Sequence, residues 1–548
     1  MTVRALPVLE LPARSATEGR EGPRVAAELE EYVVGPESLP RFFIWTLGCQ
    51  MNHSDSEEMA GALLAAGCAE SWSLDDADLV VINSCAIREA AEQKVIGRVG
   101  QLAELKQARP GTLVVLTGCA VREDNRHILR RRYPSVDLFL RPDEEPELVA
   151  RLGLATLTAP GLMTGVAGHV PETMAPHVPA TIARVGRSIA ATADRLPGTR
   201  AAAVAAGSIR RGSRWDAWVP VIYGCDKTCT YCIVPFSRGP ERSRPFDDVL
   251  AECRKLGRAG VLNLTLLGQN VNSYGHDLPP EQRFADLAGG RTLGRRIDTT
   301  GRPDFAALLR AIDALRLEDG RPAIARLRFV TSHPWDLTDR LIDAIAECPS
   351  VCEHLHLPVQ SGDDGVLHRM GRQYSVEAYL RLVQRLRSAV PGIALSSDVI
   401  VGFSGETERQ FEATLELLRT VRYDQVFAAA YSVRPGTPAA RLPDDVSPGE
   451  KRLRLNALLE LQEDIGWELN RAWVGRRTEV LVDRVDQPSA HGEATARGAV
   501  RVAGRNRQNK LVHLDGGSEL LGRLVDVVIE RAGPYSLQGS QVEATIPA

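Results

Sequence analysis

The chain has 548 residues, a formal net charge of −4, 44% hydrophobic residues and 25% charged residues. This length is too great for one hydrophobic core, so we expect two to four globular domains. The charge excludes a uniformly basic nucleic-acid binder, and no run of about 18 apolar residues predicts a membrane span. We expect a cytoplasmic protein without a membrane partner, in which the ten cysteines do not form a disulfide framework.

The N-terminal part begins with residues 1–40, which are aperiodic and which we expect to form a disordered extension. Over residues 41–153, three short apolar runs each end in a cysteine, at Cys49, Cys85 and Cys119. Helical patterns separate these runs, and this alternation predicts an N-terminal α/β domain with a parallel sheet. Because the carboxyl ends of parallel strands meet at one edge, we expect the three thiols to lie near one another.

The middle of the chain starts with residues 154–213, whose composition predicts a flexible linker or insertion. Over residues 214–470, helical patterns alternate with six strand patterns: WVPVIYG, VLNLTLLG, ARLRFVT, EHLHLPV, IALSSDVIVGF and QVFAAAYSV. Six such repeats predict a partial (β/α)6 barrel with its active site at the strand C-termini. Residues 277–303 look like a loop insertion between two of its elements.

The stretch GCDKTCTYC, at the end of the first barrel strand, holds Cys225, Cys229 and Cys232 with no fourth cysteine nearby. A structural zinc takes four ligands, and a fully ligated 4Fe-4S cluster takes four thiolates. Three thiolates therefore favour a cluster with one iron left open, and we interpret the N-terminal trio in the same way. For the trio at Cys225, Cys229 and Cys232, the alternatives are a zinc site or a chance spacing. For the N-terminal trio, the alternative is a set of buried structural cysteines. The remaining cysteines are expected to be structural: Cys68, Cys253, Cys348 and Cys352.

The C-terminal part, residues 471–535, shows short alternating strands with glycine turns, the pattern of a small β-barrel followed by a tail at 536–548. Its densest basic stretch, ARGAVRVAGRNRQNK, contains Arg497, Arg501, Arg505, Arg507 and Lys510. A basic patch on a small barrel fits an RNA-binding surface, and a solvated charged face is the alternative.

Together these motifs resemble the methylthiotransferase family of radical S-adenosylmethionine (SAM) enzymes, over roughly residues 41–535. The C-x3-C-x2-C run is the signature of radical SAM enzymes. Further segments resemble the family branch that makes 2-methylthio-N6-dimethylallyladenosine in tRNA: LGCQMNHSDSE, NSCAIREAAEQK, GCAVRE, LGQNVNSYG, TSHP, HLHLPVQSG and RPGTPAA. The ribosomal-protein branch typically has proline and lysine where this chain has Gln50 and Met51. The terminal barrel looks like the family's RNA-binding TRAM domain.

The resemblance implies a tRNA methylthiotransferase with two 4Fe-4S clusters and two SAM molecules per turnover. The SAM-binding cluster would be held by Cys225, Cys229 and Cys232, and an auxiliary cluster by Cys49, Cys85 and Cys119. One SAM would methylate a sulfur of the auxiliary cluster. A second would yield the radical that removes hydrogen from carbon 2 of the modified adenine at position 37. That C–H bond is too strong for a side-chain base, so we expect no catalytic acid or base from the protein.

Polar and glycine residues near the strand ends are expected to bind SAM. They are Gln269 and Asn270 after the second strand, Ser397 and Asp398 at the end of the fifth, and Gly402, Gly405 and Glu406 in the turn that follows. This chain has Ser404 where the family commonly has proline. Arg434, after the sixth strand, is expected to grip a substrate phosphate, together with the basic patch of the barrel. A purely structural role at the barrel rim is the alternative for each.

The expected partners are the tRNA anticodon stem-loop, an electron donor such as a flavodoxin or ferredoxin, and the iron–sulfur assembly machinery, for a chain that acts as a monomer. One alternative is a methylthiotransferase that acts on threonylcarbamoyl-adenosine in tRNA or on a ribosomal protein. Another is a non-catalytic iron–sulfur protein that binds RNA and senses redox state. A cobalamin-dependent radical SAM enzyme is disfavoured, because no Asp-x-His-x-x-Gly motif stands in the N-terminal region.

Overall fold

The computed structural model describes residues 40–85, 89–154, 209–287, 300–486 and 501–542. The predicted N-terminal extension, most of the predicted linker, the centre of the predicted insertion and Arg497 lie outside these residues. Within the described ranges, no helix is both long and apolar enough to cross a membrane.

The N-terminal part is a five-stranded parallel sheet with helices between the strands. Its strands are β1 (Arg41–Leu47), β2 (Ala69–Glu70), β3 (Leu79–Ser84), β4 (Leu113–Thr117) and β5 (Leu138–Phe139), in the order β2-β1-β3-β4-β5. Its helices are α1 (Gln50–Ala65), α2 (Glu89–Ala108), α3 (Arg126–Arg132) and α4 (Leu148–Arg151). Every residue of β3, LVVINS, is buried, as expected for a central parallel strand covered on both faces. The register pairs Leu47 with Ser84 and Asn83 with Thr117, so the three cysteine-bearing strands end together.

The central part contains the six predicted strands, and two short strands follow the first of them. The strands are β6 (Asp216–Pro220), β7 (Ile222–Tyr223), β8 (Arg242–Ser243), β9 (Asn263–Leu267), β10 (Arg326–Phe329), β11 (His354–His356), β12 (Ala394–Val401) and β13 (Gln425–Ala430). Six of them form two parallel sheets, β6-β9-β10 and β11-β12-β13, and an isolated bridge pairs Leu327 of β10 with Val351, just before β11. The small β7–β8 pair is antiparallel.

Eight helices of the described central residues surround these sheets. They are α5 (Val234–Arg238), α6 (Phe246–Arg258), α7 (Phe305–Asp313), α8 (Asp339–Glu347), α9 (Asp364–Arg369), α10 (Val376–Ala389), α11 (Glu408–Val421) and α12 (Pro448–Arg471). In α10, for example, Ser375 caps the first turn, and Tyr379, Leu382 and Leu386 form one buried stripe against the sheet. This periodic burial places the apolar face of the helix in the core of the central part.

The C-terminal part is a closed five-stranded barrel in the order β14-β15-β16-β18-β17. Its strands are β14 (Arg477–Val485), β15 (Arg501–Asn506), β16 (Leu511–Asp515), β17 (Leu524–Ala532) and β18 (Leu537–Gln541). The prediction of a tail from residue 536 is wrong, because β18 pairs with both β16 and β17 and closes the barrel. The segment LQGSQ gave no strand pattern because only Leu537 points into the barrel core.

The barrel docks at the N-terminal edge of the central strands, opposite the cysteines. Arg326 and Arg328 of β10 donate hydrogen bonds to barrel carbonyls, with Arg326 Nη1 2.6 Å from Arg505 O and Arg328 Nη2 2.6 Å from Asn506 O. These contacts hold the turn between β15 and β16 against the strand starts.

Candidate functional site

The N-terminal cysteines follow three neighbouring strands, as the sequence predicted. Cys49 caps the start of α1 and is half-buried, whereas Cys85 and Cys119 are buried. Gly118 precedes Cys119 with φ +88°, and a Cβ there would lie 2.4 Å from the backbone oxygen of Ser84. Only glycine fits this close turn, which directs Cys119 toward the sheet edge.

A buried amide network fixes the loop that carries Cys49. Cys49 Sγ lies 3.4 Å from Asn52 Oδ1. Asn52 Nδ2 donates to Asn83 Oδ1 at 2.8 Å, and Asn83 Nδ2 donates to Ser56 Oγ at 3.0 Å. Because Asn83 stands near the end of β3, the network ties the first cysteine to the strand that leads to Cys85.

The second cysteine loop, residues 224–232, follows β7 at the end of the first strand region of the central part. Gly224 has φ +74°, and its amide donates to Gln269 Oε1 at 2.6 Å. Burial raises the pKa of the Cys225 thiol to about 12, and the charges of Cys232 and Cys229 add to that shift. Within this loop Cys225 is buried, whereas Cys229 and Cys232 are half-buried.

Two donors lie near the sulfur of Cys229, the buried Arg372 and the half-buried His333. Arg372 Nη1 lies 3.6 Å from Cys229 Sγ, and His333 Nε2 lies 3.9 Å from it. His333 Nδ1 accepts a hydrogen bond from the Trp335 amide at 3.2 Å, so the ring proton belongs on Nε2, facing the sulfur. Burial, with the charges of Arg372 and Lys227, lowers the pKa of His333 well below its usual value and keeps the ring neutral.

The two cysteine loops meet across the contact between the N-terminal and central parts. Arg238, six residues after Cys232, places Nε 3.1 Å from Cys119 Sγ and Nη2 2.6 Å from Asp55 Oδ2. Burial raises the pKa of Cys232 to about 11, and Cys119 is among the charges that contribute. One thiol of each trio therefore lies within electrostatic reach of the other.

Burial and neighbouring charges shift the pKa values of Cys119 and Arg238 at this contact. Burial raises the pKa of the Cys119 thiol, Arg238 opposes that shift, and the charge of Cys49 adds to it. Burial disfavours the charged form of Arg238, but Asp55, Cys119 and Glu145 outweigh it and raise the pKa of the guanidinium. The contact thus holds a permanent cation beside a thiol of the N-terminal trio.

The predicted SAM residues after the second strand already bind protein groups. Gln269 accepts the Gly224 amide, and Asn270 Nδ2 donates to Asp336 Oδ2 at 2.6 Å. Asn270 Oδ1 also accepts the His333 amide at 3.1 Å. Lys227, inside the cysteine loop, completes the network with Nζ 2.7 Å from Asp336 Oδ2. Gln269 and Asn270 therefore both help to orient the second cysteine loop.

The placement of Ser397 and Asp398 at the end of the fifth strand is wrong. Strand β12 continues to Val401, because the alternating pattern of VIV extends pairing with β13. Ser397 is fully buried and accepts the Val359 amide at 3.0 Å. Asp398 is more exposed, with Oδ2 3.4 Å from His356 Nε2. Of the two, only Asp398 keeps a side chain that a ligand can reach.

The predicted glycine turn after β12 is present. Gly402 and Gly405 both have φ +69°. Glu406 accepts the Gly402 amide at 2.5 Å and pairs with Arg454 Nη1 at 3.0 Å. Glu406 thus stabilises the turn from inside.

The predicted phosphate-binding residue of the rim, Arg434, is half-buried in the loop after β13. Its neighbour Pro435 accepts a long hydrogen bond, 3.5 Å, from Arg122 of the N-terminal part. Arg434 therefore lies on the same side of the central strands as the cysteines, where the two parts meet.

The predicted basic patch of the barrel is not a free surface. Arg507 pairs with Glu353, and Lys510 Nζ lies 2.7 Å from Asp424 Oδ1, both at the N-terminal edge of the central strands. Arg505 donates to Asn509 O at 2.8 Å, and Arg501 is half-buried. The exposed arginines of the described barrel and its approach are others: Arg471, Arg476, Arg477, Arg484, Arg523 and Arg531.

Sequence reasoning missed the polar residues that surround the thiols. His333 stands in the TSHP segment, which carried the resemblance but no assigned role. Thr331, at its start, has φ +69°, a strained conformation for a β-branched residue that often marks a functional rim. Arg238 and Arg372 are single arginines in an arginine-rich chain, and no local pattern distinguishes them.

Comparison with known proteins decides the family. The radical SAM superfamily matches residues 219–418, and an uncharacterized protein family, UPF0004, matches residues 41–141. The tRNA-2-methylthio-N(6)-dimethylallyladenosine synthase of Symbiobacterium thermophilum is 40% identical over 511 residues, 92% of this chain and 95% of that protein. The chain belongs to this synthase family. The synthase of Sorangium cellulosum is 41% identical over 508 residues, 92% of this chain and 94% of that protein.

Solved structures resemble this member of the synthase family less closely. A radical S-adenosylmethionine methyltransferase of Kitasatospora setae gives a TM-score of 0.46 at 16% identity, over 83% of this chain and 79% of that chain. A likeness at this level carries no argument about the site. The family predicted from the sequence motifs is confirmed by the synthase relatives.

Proposed function

We propose that this chain adds a methylthio group to carbon 2 of N6-dimethylallyladenosine at position 37 of tRNA, with two 4Fe-4S clusters and SAM as cofactors. The observation that carries the proposal is the meeting of the two cysteine loops, where Arg238 of α5, the helix that follows the second loop, contacts Cys119 of the N-terminal trio. Carbon 2 of the adenine would have to reach both the radical that removes its hydrogen and the auxiliary cluster that would supply the methylthio group, so the two sites must lie close together. The synthase relatives support the choice of nucleoside.

The residues of both trios fit a cluster with an open iron. Each set offers three thiols, and iron–sulfur clusters are held by thiolates. Within the described ranges, no three His, Cys, Asp or Glu side chains converge on the position of a single metal ion. We assign the auxiliary cluster to Cys49, Cys85 and Cys119, and the SAM-binding cluster to Cys225, Cys229 and Cys232.

The rim beside the second loop fits a polar ligand such as SAM. Asn272 Oδ1 and Ser332 Oγ are buried and have no hydrogen-bond partner among the described residues. Such orphaned atoms are costly unless a ligand or water satisfies them. Asn272 Nδ2 donates a hydrogen bond to the His333 carbonyl at 3.3 Å, and Ser332 directly precedes His333. Both residues with an unpaired atom are therefore neighbours of His333. We propose Asn272 and Ser332, together with Asp398, as SAM contacts.

The protein's own residues position the two cysteine loops and shield thiols from water. When bound, the clusters and SAM supply the electron, the radical that removes the hydrogen of carbon 2, and the methylthio group that replaces it. Gln269, Asn270 and Lys227 keep the second loop in place, and the Asn52–Asn83 network does so for the first. Burial of Cys85, Cys119 and Cys225 keeps water away from these three thiols.

We assign RNA binding to the C-terminal barrel as a TRAM domain, with residues 41–153, 214–470 and 471–541 as the three domains. Its exposed arginines, Arg484 and Arg523 among them, suit the phosphates of an anticodon stem-loop. Arg434, at the cysteine side of the central strands, suits a phosphate next to the modified base. The loop base would be splayed out to enter between the two cysteine loops, as single-stranded bases commonly are.

The remaining assignments concern the setting of the reaction. A one-electron donor of the flavodoxin or ferredoxin type must reduce the SAM-binding cluster, and assembly machinery must load both clusters. We propose a monomer that works in the cytoplasm, where tRNA and reduced thiols are available.

Iron counting on purified, reconstituted protein tests the two-cluster assignment. The wild type should hold about eight irons, and replacement of either trio by alanine should leave about four. Protein without the first trio should still cleave SAM under reduction but form no methylthio nucleoside on tRNA. If removal of the first trio leaves the iron content unchanged, the auxiliary cluster is absent and the proposal fails.

A further inference from the structure

Arg238 is a buried arginine at the contact between the two cysteine loops. It ends α5, and only 5% of its side chain is exposed. Its Nε–H donates to Cys119 Sγ at 3.1 Å, and its Nη2 donates to Asp55 Oδ2 at 2.6 Å. Asp55 is equally buried, with 7% of its side chain exposed. Arg238 therefore stands on the helix that follows the second cysteine loop, while its guanidinium contacts two residues of the N-terminal part.

A buried guanidinium needs compensation for lost hydration. Asp55 supplies the counter-charge, and Glu145 lies in the same pocket, where its Oε1 accepts Thr117 Oγ1 at 2.7 Å. The Nε–H of Arg238 is then aimed at a thiol. Because the donors of a guanidinium stand in a rigid fork, one arginine can hold Asp55 and Cys119 at a fixed separation. A lysine has no second donor at that angle.

We propose that Arg238 is a positioning residue that fixes Cys119 relative to the second cysteine loop and supplies an N–H···S hydrogen bond to the auxiliary cluster. This inference rests on the proposed function, since it requires that Cys119 bind a cluster. A hydrogen bond and a positive charge at a ligand sulfur favour the reduced, more negative state of a cluster. Arg238 therefore raises the reduction potential of the auxiliary cluster and keeps that cluster in register with the SAM-binding one.

A second arginine provides a matched control. Arg211 also bridges the N-terminal and central parts, with Nη2 2.7 Å from Glu252 Oε1 and Nη1 3.7 Å from Glu57 Oε2. It is 14% exposed. Neither contact involves a cysteine. If the two arginines only hold the N-terminal part against the central part, variants of both should show the same defect. An effect on the auxiliary cluster itself should appear only in variants of Arg238.

The first experiment is a redox titration followed by electron paramagnetic resonance. The three cysteines of the second trio are changed to alanine, so that only the auxiliary cluster remains. Into this protein we introduce R238K, R238Q or R211K, with D55N as a further variant that keeps the shape but removes the counter-charge. We expect R238K and R238Q to lower the midpoint potential of the cluster, and R211K to leave it at the parent value.

The second experiment uses the full chain with both clusters and tRNA. The ratio of 5′-deoxyadenosine formed to methylthio nucleoside formed should rise roughly 10–100-fold in R238K, the usual cost of losing an outer partner of a metal ligand. In R211K the ratio should stay at the wild-type value. Equal potentials in R238Q and parent, together with an unchanged ratio, would overturn the inference and leave Arg238 a docking residue.

Failure of the proposed function would look different. The parent protein with only the first trio would then hold no iron, whatever residue stands at position 238, and the inference would fall with it. Should R238K and R238Q not fold, D55N must lower the potential, because Asp55 orients the guanidinium toward Cys119, whereas loss of its negative charge alone would raise the potential. An unshifted or raised potential in D55N would then overturn the inference.

Discussion

Arg507 of the C-terminal barrel and Glu353 of the central part form a two-pronged ion pair, with Nη2 2.7 Å from Oε1 and Nε 2.9 Å from Oε2. Arg507 Nη2 also donates to the carbonyls of Pro349 and Val351 at 3.0 and 2.6 Å. The planar fork of arginine matches this arrangement. The turn that carries Arg507 is therefore a docking element that fastens the barrel to the strand starts.

We expect R507A to destabilise the protein by about 1–2 kcal/mol, because Glu353 and two carbonyls lose their partner in a half-buried contact. Urea unfolding of the purified protein measures this. R484A is the matched control, since Arg484 is exposed and its removal should change the free energy of unfolding by less than about 0.5 kcal/mol. Equal stability of R507A and R484A would mean that the docking contact is not formed in solution.

We expect RNA affinity, unlike stability, to depend on Arg484 and not on Arg507. We expect R484Q and R523Q each to weaken binding of an anticodon stem-loop and to reduce the slope of log affinity against log salt by about 0.7–0.9, one phosphate contact. R507Q should leave the slope unchanged. Fluorescence anisotropy at several salt concentrations gives the slopes. If R507Q alone reduces the slope, the sequence-based patch is the RNA surface after all.

The hydrogen bond from His333 to Cys229 predicts an effect on the SAM-binding cluster. H333L removes a neutral N–H donor 3.9 Å from the sulfur, which should lower the reduction potential of that cluster and slow SAM cleavage roughly 10–100-fold. Redox titration of protein that lacks the first trio isolates the relevant signal. H368L serves as a control, since His368 is exposed on α9. Unchanged potential in H333L would exclude this hydrogen bond as a determinant.

We expect His354 to make the free energy of unfolding depend on pH. Burial lowers its pKa well below the usual value, and Arg328, His356, Arg505 and Lys510 add to the shift. The folded protein therefore keeps the ring neutral while the unfolded chain binds a proton below about pH 6.5. The free energy of unfolding should be unaffected by this group above that pH. It should fall below it by up to about 1.4 kcal/mol per pH unit.

The variant H354Q tests this prediction, because it retains a polar group beside Ser396 Oγ, 3.2 Å from His354 Nε2, but does not titrate. Urea unfolding between pH 5 and pH 8 should show a shallower decline on the acid side for H354Q than for the wild type. Parallel curves would show that His354 is protonated in the folded protein as readily as in the unfolded chain.

The cysteine positions could be predicted because they depend on local patterns. Buried runs such as LVVINS identify parallel strands, and parallel strands end at one edge, which brings Cys49, Cys85 and Cys119 together. A glycine before a cysteine, as at Gly118 and Gly224, marks a turn with positive φ. These features need no knowledge of distant residues.

The partners of charged residues could not be predicted, because contacts between distant segments decide them. Lys510 lies in the densest basic stretch, yet Asp424, 86 positions earlier, neutralises it. Likewise, Arg238 finds Cys119 and Asp55 only when two separate sheets meet. Strand β18 was missed because its sequence is polar and its stability comes from pairing with β16 and β17.

The most direct test of the central claim is mass spectrometry of tRNA nucleosides from a strain that lacks this gene, with and without the gene restored. Loss of 2-methylthio-N6-dimethylallyladenosine, accumulation of its precursor without the methylthio group, and rescue by the wild type but not by C49A or C225A are the predicted result. An unchanged amount of that nucleoside in the deletion strain would contradict the claim. The threonylcarbamoyl-adenosine and ribosomal-protein substrates would then be the ones to examine.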